Sequence, residues 1–149
     1  MVLWRISNHR TLDGRGGLKA SARWHTRGRP IVYLAETATG ALTEALVHLE
    51  LDPNHLPRNY KLLKSEAPDG ISIRSVTKAD LPKNWVEDEV ATRTIGDEWL
   101  TSNETALLRV PSAIAPESFN VLLNPMHREA ARVVVVDYRD YPWDRRLLE

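Results

Sequence analysis

A chain of 149 residues, 42% apolar and 27% charged, with no net charge at pH 7, holds enough material for one domain with its own core. The lack of cysteine excludes a disulfide framework, a thiolate metal site and a cysteine nucleophile. No apolar run approaches the ~20 residues of a membrane helix, and residues 1–10 lack the long apolar stretch of a secretory leader, so a cytoplasmic location is expected.

The balanced charge is unevenly spread. Residues 1–30 carry Arg5, Arg10, Arg15, Lys19, Arg23, Arg27 and Arg29 against Asp13 alone, a net +6 that the remainder must cancel. Such a segment suits an anionic ligand, or a basic surface that pairs with acids elsewhere in the fold. In chain order, "VLWRIS" alternates like a strand. "LDGRGGLKASARWHTRGR" is glycine-rich and aperiodic, and is expected to be a long basic loop. "PIVYLAE" is β-branched and aromatic, a strand with proline at its start.

An amphipathic helix is expected over about 40–51, capped by Thr39 and stopped at Asp52-Pro53, with Leu42, Ala45, Leu46 and Leu49 as its apolar stripe. Glu44 falls nearly opposite that stripe and shares its face with His48, and Val47 on the same side suggests a face that is not fully solvated. "NYKLLKSEAP" and "GISIRSVT" are two strands split by a turn, and "KADLPKNW" is a loop. "VEDEVATRTIGDEWLTS" is helical, with Val90, Ile95 and Trp99 inward and Gly96 weakening its middle. "ALLRVPSAI", "NVLLNP" and "ARVVVVDY" supply three further strands, separated by "APES" and "NPMHREA". Mostly strands with two inserted helices, and no βαβ alternation, predict a single α+β domain over 1–149.

Several motifs fail on context. "DGRGG" lacks dinucleotide-fingerprint spacing, and no histidine pair has metalloprotease spacing, so no metal site is expected. Ser112 in "VPSAI" lacks a nucleophile elbow. Arg23, Tyr33 and Glu44 form a more useful set. They lie on the basic loop, the next strand and the following helix. A guanidinium can fork onto a phosphate, a phenol can stack on a flat heterocycle, and a carboxylate can stabilise positive charge developing on a sugar. Spacing alone leaves open that Arg23 is a surface charge, Tyr33 core and Glu44 solvated.

The blocks "ARWHTRGRPIVYLAE", "ALTEALVHL", "TIGDEWL", "LLRVPSAIAPESFNVLLNPMH" and "WDRRLL" together resemble the RES domain, a family named for an arginine, a glutamate and a serine. The resemblance spans roughly 3–148. It implies a mixed or antiparallel β core like that of ADP-ribosyltransferases, with a few helices around it. It also implies a bacterial toxin that depletes NAD by cleaving the nicotinamide–ribose bond, by hydrolysis or phosphorolysis. The implied partner is an Xre-like helix-turn-helix antitoxin that covers the active site, with DNA bound only through the antitoxin and room for a homodimer within the complex.

Carried over by motif, the catalytic residues are Arg23, Tyr33 and Glu44. Arg5, Arg23, Tyr33, Ser112 and Asn124 would contact NAD, Arg5 at the pyrophosphate. The family often has Gly-Gly before "RW" and Asn after it; here Ser21, Ala22 and His25 stand there. The alternatives are a protein ADP-ribosyltransferase using the same residues, and a non-catalytic nucleic-acid-binding module resting on the basic segment alone.

Overall fold

The strand signals assemble into one sheet. The computed structural model describes residues 1–49 and 51–148. Its strands are β1 (Val2–Ser7), β2 (Val32–Ala35), β3 (Lys61–Glu66), β4 (Ile73–Ser75), β5 (Leu107–Pro111), β6 (Phe119–Leu123) and β7 (Val134–Asp140). They lie in the order β4-β5-β6-β2-β1-β3-β7, antiparallel throughout except for the β4/β5 pair. The helices are α1 (Arg15–Lys19), α2 (Ala38–His48) and α3 (Glu89–Ser102). The α+β class with a mixed, largely antiparallel core is the one expected. The sheet has a narrow waist: β1 and β2 meet at a single register pair, Trp4↔Ala35, whereas β1 and β3 pair along their whole length.

Strand alternation divides the core between two faces. Val32 and Leu34 of β2 join Val121 and Leu123 of β6 and Leu107 of β5 on one face, with Leu3 of β1. Tyr33 pairs with Leu122, and Ala35 with Asn120, on the other. Trp24, Trp85 and Trp99 cover that second face. Trp99 is 1% exposed and donates its indole N–H to Thr105 Oγ1 at 2.9 Å. Burying one such side chain contributes about 1.5–3 kcal/mol.

Five local expectations are corrected. The basic loop is not wholly irregular, because it contains α1. Thr37, not Thr39, caps α2: its side chain accepts from Gly40 N at 2.9 Å, and the helix starts two residues early. That helix ends at His48, and Glu50, inside the expected span, lies outside the described residues, as does Glu149. Val47 is 57% exposed, so it gives no sign of a covered face; Ala41 and Ala45 form the buried seam. Val90, expected inward, is 72% exposed in the first turn of α3, where Asp88 caps Ala91 N. The inward stripe of α3 is instead Thr92, Gly96 and Trp99.

That stripe receives the segment that carries Arg23. Thr92 Oγ1 donates to Arg23 O at 2.7 Å, and Arg93 Nε to Ala22 O at 2.8 Å. Asp97 accepts from Thr26 N at 2.9 Å and Thr26 Oγ1 at 2.6 Å, and pairs with Arg29 at 3.5 Å. Gly96 lets the backbones meet: a Cβ there would lie 1.6 Å from Trp24 O. The glycine that weakens the helix by sequence is the one its packing requires.

Candidate active site

Glu44 projects from α2 into donors drawn from β6 and from the residue just past β5. Asn120 Nδ2 donates to Glu44 Oε1 at 2.8 Å, and Ser112 Oγ donates to the same oxygen at 3.0 Å. Ser112 Oγ also accepts from Ile114 N at 3.2 Å and Ala115 N at 3.4 Å. Those amides occupy its lone pairs, so its proton is committed to the carboxylate. The other oxygen, Oε2, has His48 Nε2 at 3.6 Å, an ion-pair distance rather than a hydrogen bond.

Burial pushes the Glu44 carboxyl up, but His48, Asn120 and Ser112 together outweigh it and hold the group below the usual carboxylate range. The His48 imidazole is raised, chiefly by Glu44 and against its own partial burial. Arg23 opposes the charge on His48 and Glu89 favours it, so both bear on the same pocket. Glu44 is therefore an ionised, oriented carboxylate only 28% exposed.

Tyr33 is fixed from the other side. Its hydroxyl accepts from Trp24 N at 3.2 Å and lies 2.7 Å from His25 Nδ1. His25 Nε2 lies 2.9 Å from Ala20 O, a carbonyl that can only accept, so Nε2 carries the proton and Nδ1 accepts from Tyr33. Burial lowers the His25 pKa and raises that of Tyr33, which keeps both neutral. On β6, Asn120 is two residues from Leu122, the partner of Tyr33, and shares its face. Such diagonal neighbours sit about 7–8 Å apart.

Arg23 follows the docked segment. Its guanidinium donates to Trp85 O at 3.3 Å, lies 6.0 Å from the Trp85 ring and pairs with Glu89 at 3.8 Å.

Of the residues singled out by sequence, Arg23, Tyr33, Glu44 and Ser112 come together on one side of the sheet. Asn124 does not. It is buried beyond the end of β6, where Nδ2 donates to Asn103 Oδ1 at 2.9 Å and Oδ1 accepts from Met126 N at 3.0 Å. The asparagine that reaches Glu44 is Asn120, which sequence reasoning missed. Its signal was a polar residue alternating with Leu122 in an otherwise apolar strand. Arg5 lies on β1 in phase with buried Leu3, on the opposite face from Tyr33 by alternation. Burial lowers its pKa, and Asp13 opposes that shift. Among the described residues, no group of three His, Cys, Asp or Glu is placed to hold a metal, and no helix is long and apolar enough to cross a membrane.

Fold and site thus define an α+β domain with one clamped, ionised glutamate and, on the same side of the sheet, an arginine and a partly buried tyrosine. The profile of the RES domain matches residues 2–144, and the chain belongs to that family. It is 45% identical to Toxin Res of Pseudomonas putida over 143 residues, 93% of this chain and 95% of that protein. It is 36% identical to the Prs ADP-ribosylating toxin of Sphingobium sp., over 97% of this chain and 95% of that one. The fold is similar to a chain in the crystal structure of the M. tuberculosis MbcT–MbcA toxin–antitoxin complex, with a TM-score of 0.75 at 15% identity over 94% of this chain and 83% of that one.

Proposed function

We propose that this chain is the toxin of a toxin–antitoxin pair and depletes NAD by cleaving its nicotinamide–ribose bond. The observation that carries the reading is the Glu44 carboxylate, held ionised by Ser112 and Asn120 in a partly buried site beside Arg23 and Tyr33. The C1′–N1 bond breaks and its electron pair leaves with nicotinamide, neutralising the ring cation, so no strong general acid is needed. Positive charge grows on the ribose, and an oriented carboxylate in a low-dielectric pocket stabilises it. Water or phosphate then bonds to C1′ and its proton passes to solvent.

Arg23 holds phosphate or ribose oxygens by exchanging its contact with Glu89, and Tyr33 offers a ring face to nicotinamide. Arg5, on the opposite face of the sheet from Tyr33, has no part in this reading, and Asn124 acts only through the turn it holds. An Xre-like antitoxin that covers the site is the partner, and operator DNA is bound by the complex.

The test is release of free nicotinamide from NAD by the purified chain, with and without added phosphate, followed by chromatography. Glu44→Gln is isosteric and is expected to keep the fold while lowering turnover about 10²–10³-fold. Undiminished turnover in that variant refutes the assignment. A second reading, transfer of ADP-ribose to a protein, is favoured by the similarity to the Prs ADP-ribosylating toxin. It predicts that label from NAD appears on a protein band instead of in free product.

A further inference from the structure

We infer that Asn120 is the positioning residue that fixes which oxygen of Glu44 meets the substrate, an inference that rests on the NAD-cleaving reading. Two neutral donors, Asn120 Nδ2 at 2.8 Å and Ser112 Oγ at 3.0 Å, converge on Oε1. Neither touches Oε2, whose neighbour is His48 at 3.6 Å. The carboxylate is thus divided into a held oxygen and a working one.

The two donors differ in how firmly they are mounted. Ser112 stands just past β5, at the start of the turn that leads to β6. Asn120 lies inside β6, paired with Val110 on one side and Ala35 on the other. A strand bonded along both edges is the stiffest mount available here, and a planar amide turns about only two side-chain torsions. Glu44 itself hangs on three torsions from a helix, so without a fixed donor its carboxylate can rotate and exchange its oxygens. Asn120 also shares its face with Tyr33 through the Leu122 pair. One rigid strand therefore sets the carboxylate and the aromatic ring relative to each other.

The groups facing the carboxylate are Ser112 after β5, Asn120 on β6 and His48 on α2. Arg23, on the segment docked along α3, and Glu89 of α3 bear on His48 in turn. Removing Asn120 leaves one donor against the same burial, so the Glu44 carboxyl rises. Replacing it with aspartate sets a second carboxylate against Oε1, and the rise is larger.

The experiment uses Asn120→Ala and the isosteric Asn120→Asp in the full chain, with folding verified by unfolding midpoint. Carboxyl NMR titration of Glu44 is expected to move upward in Asn120→Ala and by a unit or more in Asn120→Asp. For NAD turnover, kcat is expected to fall about tenfold or more while KM stays within about twofold, because the lost interaction acts on the transition state. The acidic limb of the kcat–pH profile should follow the NMR shift. A merely structural role would lower stability and leave the Glu44 titration in place. An unchanged titration in both folded variants, or an unchanged kcat in both, overturns the inference. Failure of the wild-type chain to release nicotinamide overturns the NAD reading instead, and the NMR titration still decides whether Asn120 holds the carboxylate.

Discussion

Replacing Gly96 with alanine sets two physical effects against each other. Helix propensity alone favours alanine by about 1 kcal/mol in a helix interior. Packing opposes it. A Cβ on Gly96 would stand 1.6 Å from Trp24 O, 2.7 Å from Trp24 C and 3.2 Å from Trp24 Cα, all backbone atoms. The backbones must part by roughly 1.8 Å, the difference between 1.6 Å and the 3.4 Å at which ordinary contact begins.

Overpacking of this kind costs about 1–3 kcal/mol. Parting the segments also breaks the bond from Thr92 Oγ1 to Arg23 O, worth about 1 kcal/mol. Packing wins, with a net destabilisation of about 1–3 kcal/mol, or a fall in Tm of about 3–10 °C at this chain length. Urea unfolding followed by circular dichroism, together with calorimetry, measures it. Turnover assayed well below the melting range should fall too, because the displaced segment carries Arg23. A Gly96→Ala chain as stable as the parent, or more stable, refutes the close approach of α3 to Trp24.

Acid should destabilise the fold through His25. Burial holds its pKa below 6.5, so between the two values the unfolded chain binds a proton that the native chain does not, and stability falls as pH drops below about 6.5. Thermal melts across that range should flatten in His25→Ala, and an unchanged slope would exclude His25 as the source. The lowered Glu44 pKa acts further down, its contribution being lost as pH falls from about 4.5 through the folded value. The raised His48 pKa works the other way, its pairing with Glu44 being lost as pH rises from 6.5 through the folded value. Ser112→Ala removes one donor to Glu44 and orphans the amides of Ile114 and Ala115. It should cost about 1–2 kcal/mol in chemical unfolding and about tenfold in turnover; loss of neither would remove Ser112 from the site.

What the sequence disclosed depended on whether the signal was local. Alternation and β-branching located the strands, because those patterns act within a few residues. Glu44 was legible as a helix residue off the apolar stripe, and resemblance gave it a chemical role. Asn120 was not legible, because its meaning comes from register: only the pairing of β6 with both β2 and β5 brings an amide to Oε1. Asn124 occupies the next like position but one turn of chain too far, past the strand end. Val90 failed for a different reason. On a helix of 3.6 residues per turn it falls nearly opposite the Thr92, Gly96 and Trp99 stripe, on the solvent side. Gly96 misleads when read by propensity, since its value is set by a carbonyl about 70 residues away in sequence.

The narrow joint between β1 and β2 bears on how such a molecule comes into being. With only Trp4↔Ala35 on one side, β2 depends on β6 for its place in the sheet. The Glu44 clamp spans sequence separations of 68 and 76 residues. Closing a loop of about 70 residues costs roughly 4 kcal/mol in chain entropy, and such distant pairings form slowly. A chain emerging from the ribosome thus carries Glu44 well before it has Ser112 and Asn120 to hold it. The clamp is complete only once β5 and β6 have both been made.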